Sequence, residues 1–171
     1  MTTTPTRETI IDSLRRLAES GSGCPVLPPY QDKSEKYKVE TYGVINLISS
    51  EQSGGSWSDY NNDQETRHSF VESVFSMNWY NNGAFDCANN FKMWADSNNG
   101  REQFANRLFA LRNVSDIIDI TGIDSDKYEQ RAQCDVTVAY AIQHTKSANE
   151  LAITDVNLNG VGETRQLTIG V

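Results

Sequence analysis

From Arg67 to Tyr80 the chain alternates, with Val71, Phe75, Met77 and Trp79 on one face and Ser69 and Ser73 as the exceptions on that face. The opposite face carries His68, Glu72, Ser76 and Asn78, interrupted by Phe70 and Val74. A period of two identifies a strand with one face toward a core. Its length constrains the fold further. A strand of about 14 residues extends roughly 45 Å, whereas a compact chain of this size is only about 40 Å across. At least one long strand must therefore bend sharply or project from the body. A projecting hairpin would suit contacts between subunits; a β-bulge inside the monomer is the alternative.

The other elements follow from periodicity. Pro5 fits the first position of a helix over 5–20, in which Ile10, Ile11, Leu14, Leu17 and Ala18 form one apolar face. Gly21 and Gly23 end it, and the segment Cys24–Tyr30, with three prolines, must be extended or turned. A strand over 39–49 has a nearly continuous apolar centre, as expected of a central strand buried on both faces. The stretch Ser50–Glu65 is polar and Gly-rich and reads as a long loop, yet it contains Trp57 and Tyr60. After the turn Asn81-Asn82-Gly83, a helix repeats Ala84, Cys87, Ala88, Phe91, Trp94 and Ala95 at three- and four-residue spacing. Asn98-Asn99-Gly100 breaks or bends it, and Phe104, Leu108 and Leu111 mark a third, short helix. Val114–Ile123 reads as a short strand. Tyr128–Ile142 reads as a long one, with Tyr128, Ala132, Cys134, Val136, Val138, Tyr140 and Ile142 on one side. The tail 151–171 reads as a hairpin around Asn159-Gly160. Strands joined by hairpins, with helices in separate blocks, predict an α+β fold: a mainly antiparallel sheet with helices on one face and long, projecting strands. The expected organisation is one domain over 1–171, with the N-terminal helix 5–20, a core over 38–143 and the C-terminal hairpin 151–171.

Composition narrows the function. No apolar run approaches the roughly 20 residues of a membrane span, so no membrane partner is expected, and the N-terminus lacks the basic and apolar blocks of a secretory signal. The three cysteines, Cys24, Cys87 and Cys134, have no close-spaced pair and an odd count, and they are expected to be free thiols in a reducing compartment. A net charge of −8 without a Lys/Arg cluster argues against gripping nucleic acid. Arg15-Arg16, the one adjacent basic pair, falls on the exposed side of the first helix. An acidic surface has a different use: a negatively lined channel lets DNA slide without sticking.

Catalytic motifs are absent. There is no Gly-rich phosphate loop, paired-His motif, Gly-x-Ser-x-Gly elbow or Cys-x-x-Cys pair. His68 and His144, both at strand ends, leave little material for a zinc site or a triad. Asp116, Asp119, Asp124, Asp126 and Glu129 form the densest acidic group, but their spacing does not match a calcium loop and a solvated loop is expected. Neither a cofactor nor a metal nor a catalytic site is expected. Trp57 and Tyr60 are the strongest local pointers to function, since aromatic side chains are enriched in interfaces; folding back over the core is the alternative. Glu129 and Arg131, on one strand face, are expected to pair within the chain or across subunits. These four are the candidate interface residues.

The pattern as a whole resembles the phage tail-terminator, or neck-terminator, proteins. The resemblance runs through the N-terminal amphipathic helix, the strand Val44-Ile45-Asn46-Leu47-Ile48, the strand end Ser76-Met77-Asn78-Trp79-Tyr80 and the helix with Ala84, Ala88 and Phe91. It is closest in the segment Lys127–Tyr140, with its aromatic, acidic and Arg residues followed by alternating apolar ones. The polar insert Ser50–Glu65 and the C-terminal hairpin match less well. The resemblance implies a structural virion protein, not an enzyme, located in the neck at the top of the tail and assembled in the host cytoplasm. It implies a ring, typically sixfold, that caps the tail tube and joins tail to head, with partners in other copies of the chain, the tail tube protein and a head-completion or connector protein. DNA would pass through without specific binding. A head-to-tail connector or tail-completion protein is the alternative within the neck, and a small hydrolase is the alternative outside it.

Overall fold

The computed structural model describes residues 7–29, 40–61, 64–124 and 127–147. Along the chain lie α1 (Arg7–Ser22), β1 (Val26–Leu27), β2 (Tyr42–Asn61), β3 (Gln64–Tyr80), α2 (Ala84–Asp96), α3 (Asn98–Asn106), β4 (Ala110–Val114), β5 (Ile118–Asp119), β6 (Gly122–Asp124), β7 (Lys127–Glu129) and β8 (Arg131–Ser147). One sheet runs β1-β2-β3-β8-β4, with β5 also pairing β8; β6 and β7 form a separate two-stranded ribbon. All pairings are antiparallel except β1 with β2. The fold is the expected α+β arrangement.

The alternation in β3 explains the layering. Phe75, Met77 and Trp79 point to the same face as Ile45 of β2 and Ala132, Cys134, Val136 and Val138 of β8, and all are buried. Against this face pack Leu14, Leu17 and Ala18 of α1, Ala84, Ala88, Phe91 and Ala95 of α2, and Phe104 of α3. Each large side chain removed from water here contributes about 1.5–3 kcal/mol, so this layer dominates the stabilisation. Ser73, an exception in the sequence pattern, is fully buried at the edge of the layer. Its hydroxyl donates to Ser50 Oγ (2.8 Å) and shares a hydrogen bond with Tyr140 Oη (2.9 Å), which meets the need of a buried polar group for partners.

The helix junctions depend on glycine for space. A Cβ at Gly21 would collide with the Trp94 indole, and one at Gly100 would collide with the Trp94 carbonyl. The break between α2 and α3 falls at Ser97, whose Oγ accepts from Gly100 N–H (3.1 Å) and donates to Trp94 O (2.6 Å). Asn98-Asn99-Gly100 is thus the first turn of α3, not the break itself.

Several expectations are corrected. The polar stretch Ser50–Glu65 is not a loop: β2 continues to Asn61 and pairs with β3 down to Gln64. Backbone ladder bonds carry this ribbon, and they require no apolar alternation. β2 is not buried on both faces; beyond its short parallel contact with β1 at Gly43 and Val44 it is an edge strand, and Ile48 is exposed. Val114–Ile123 is divided among β4, β5 and β6. Leu111, expected in the third helix, lies in β4. Tyr128–Ile142 is two strands broken at Gln130, and Tyr128 is exposed rather than on the core side. Cys24 and Cys87 are joined by a disulfide, Cα to Cα 6.5 Å, leaving Cys134 as the free cysteine. The crossing of α1 over α2 brings together thiols 63 residues apart. The expected C-terminal hairpin 151–171 lies outside the described residues.

Candidate interaction surfaces

β3 and β8 pair without a register shift from Tyr80–Arg131 to Gln64–Ser147. Seventeen residues of β3 span about 55 Å at roughly 3.3 Å per residue. Before Val71, none of the described β3 side chains is buried. The distal parts of β2, β3 and β8 therefore form a three-stranded arm that projects from the helical body. The long strand projects, and β2 also bends, with bulges between Leu47 and Ser49 and between Gln52 and Ser56.

The arm has two different faces. On the face away from the helices, Trp57 stacks on His68 (4.9 Å between ring centroids, 6° between planes) and meets Phe70 at 5.4 Å. Trp57 remains 45% exposed and Phe70 47%, so neither covers the core. His68 Nε2 lies 3.0 Å from Asp59 Oδ2. Glu51 and Glu72 face each other directly across the ladder on this side, and Arg112 lies 3.7 Å from Glu72. Aromatic and acidic groups thus share one face.

The helix-side face holds a groove of about 270 Å³ at the root of the arm. Ile10 and Ile11 of α1 form one wall, and Leu47, Val71, Phe75, Tyr140 and Ile142 of the sheet form the other, with Arg7 among its lining residues. Its volume falls below the roughly 300 Å³ at which small-molecule pockets begin, so it fits side chains better than a cofactor. Arg7 makes no ion pair among the described residues. Arg67, further out on this face, is exposed and bonds Ser56 Oγ (2.8 Å); Glu65 beside it accepts from Ser58 Oγ (2.7 Å).

The four sequence candidates are not brought together. Trp57 and Tyr60 lie on opposite faces of the arm, and Tyr60, near the tip, is 76% exposed. Glu129 and Arg131 do not share a strand: Glu129 ends β7, while Arg131 begins β8. Arg131 turns inward, donating from Nη2 to Asn78 Oδ1 (3.0 Å) with its guanidinium 4.9 Å from the Tyr80 ring centre. Tyr80 in turn stacks on Tyr42 (5.0 Å). Arg131 thus braces the root of the sheet.

Exposed apolar residues that the sequence reading missed lie in two further regions. Ile118, Ile120 and Tyr128 cluster around β5–β7, at the end of the sheet opposite the arm tip. Phe85 and Met93 stand on the outer side of α2, and Leu108, 84% exposed, takes a left-handed φ of 64° after α3. Phe85 and Met93 fall outside the buried helical stripe, which was the available signal; Leu108 was assigned to a helix that ends at Asn106.

Lys92 Nζ bonds Asp116 Oδ1 (2.7 Å), and this bond lowers the Asp116 pKa from its ordinary value. Thr121 lowers that of Asp119 by hydrogen bonding. Among the described residues no group of three His, Cys, Asp or Glu converges to hold a metal. Among them, too, no helix is long and apolar enough to cross a membrane.

A family model described as phage neck terminator protein matches residues 8–165. No curated protein matches the sequence.

Proposed function

The chain belongs to the phage neck terminator family, which is structural rather than enzymatic, and we propose that it forms a closed ring, sixfold as the family resemblance implies, that caps the tail tube and joins tail to head. The match over residues 8–165 carries this reading. Family membership makes the chain a structural component of the virion neck, in contact with other head or tail proteins. The finer assignments rest on surface chemistry.

A ring subunit in a stack needs lateral surfaces for its neighbours and axial surfaces for the layers above and below. The arm supplies two chemically distinct faces for lateral contacts, and head-to-tail pairing of unlike surfaces closes rings when the rotation permits. The two ends of the long sheet, with Tyr60 at one and Ile118 and Tyr128 at the other, supply exposed apolar groups for the tail tube and for a head-completion or connector protein. Glu129 belongs with the second of these ends. Arg131 supports the surface from behind. Capping then follows from occupancy: once the ring covers the last tube layer, the surface that the next tube subunit would bind is gone. A net charge of −8 supports passage of DNA through the lumen without retention.

Electron microscopy of purified tail tubes mixed with the protein tests this directly. Ring-shaped density at a single end, with no further growth when tube subunits are added, is the expected result. Tubes that keep growing with bare ends would overturn the capping role.

A further inference from the structure

We propose that the acidic, aromatic face of the arm of one copy docks in the groove between α1 and the sheet of the next copy, so that Phe70 and Trp57 are the lateral anchors of the ring. This rests on the ring assigned above and names the surfaces that close it.

The arm is apolar on both faces at the same level. Val71, Tyr140 and Ile142 face the helix side, while one residue away Phe70 and Ala141 face the other, beside Trp57. A three-stranded ribbon standing in water needs only one such face to attach to its own body. Two apolar faces at one height are what a ribbon needs in order to stack on copies of itself, at the roughly 10 Å spacing of packed sheets.

The charges on the two faces are opposite. Glu51, Asp59 and Glu72 surround the aromatic face, and among the described residues Arg112 pairs with Glu72 alone. Arg7 lines the groove and Arg67 stands further along the same face, with Glu65 there engaged by Ser58. Stacking the acidic face of one copy on the basic face of the next places opposite charges at the rim of an apolar contact, which fixes orientation and disfavours like-on-like pairing. Two faces of one ribbon cannot meet within one molecule. The contact is therefore head to tail between copies, the type that generates rings.

Two exposed-side substitutions separate the surfaces: Phe70→Asp damages the arm and leaves the groove, and Arg7→Glu damages the groove and leaves the arm. Ile142→Asp serves as a second groove variant, with circular dichroism checking the fold of each. Oligomeric state is read by native mass spectrometry and chemical crosslinking, alone and on tail tubes. Each variant alone is expected to need at least about tenfold more protein than the wild type to assemble, the effect of losing one anchor side chain. An equimolar mixture of an arm variant and a groove variant retains one intact junction, and it is expected to crosslink as a mixed dimer and nothing larger. Wild-type-like rings from either variant would overturn this contact while leaving the ring intact. Monomeric variants whose mixture yields no mixed dimer would show that the two surfaces are not partners. A wild type that never assembles, with or without tubes, would overturn the ring and this contact together.

Discussion

Cys134 is a free thiol, as its place in the sequence predicts, and it is inert in the fold. It lies on the core face of β8, between Ala132 and Val136, and burial first, then the neighbouring Asp135, pushes its thiol pKa up to about 12. The thiolate, which is the nucleophile, is therefore scarce at ordinary pH. Alkylation of the folded, oxidised protein at mildly alkaline pH should label no cysteine, and Cys134 should react only after denaturation. Rapid labelling in the native state would show that the core face is open. The raised value also has a direction in stability. The unfolded chain releases this proton first, so Cys134 favours the fold below its ordinary pKa of 9.0, and the contribution is lost as pH rises from there toward about 12. At the acid end Asp12 acts in the opposite sense. Its hydrogen bond from Arg15 lowers its pKa, so what it contributes is present above the ordinary carboxylate value and is lost as pH falls through the lowered one.

At the scale of elements, the Cys24–Cys87 disulfide ties the segment after α1 to α2, and it joins two elements that Gly21 already brings close. Closing a loop of 63 residues stabilises by about 4 kcal/mol in the chain-entropy view. Reduction, or Cys87→Ala, should lower the unfolding free energy by about that amount in denaturant titrations while leaving the fold intact. No change on reduction would mean that α1 and α2 are held by packing alone. The sheet core was legible from sequence because burial leaves a period of two in β3 and β8, and the helices because Leu14, Leu17, Ala88 and Phe91 repeat on one side. The arm was legible only in part. Excess strand length announced a projection, but the hairpin from Ser50 to Glu65 is held by backbone ladder bonds and by side-chain pairs such as Ser58 with Glu65, which leave no hydrophobic period. The disulfide was invisible because spacing along the chain carries no information on how α1 crosses α2. Of the surface candidates, Trp57 and Tyr60 were found as exposed aromatics, whereas Phe70 appeared only as an interruption of a polar face, because its contact with Trp57 exists only once the two strands pair.

For the whole molecule, the arrangement is a body with a helix layer on one sheet face and an arm of the same sheet extending beyond it. Exposed apolar residues gather at the arm, at the β5–β7 end and on the outer side of α2, more surfaces than a solitary chain requires. Such a distribution fits a subunit with neighbours on several sides, as expected of a member of the neck terminator family. Native mass spectrometry of the wild-type protein across a concentration series, alone and with tail tubes, is the most direct measurement of that assembly. A closed oligomer of defined number, six copies by the family resemblance, is the predicted result. A monomer at every concentration that also ignores the tubes would show that this chain does not act as a ring.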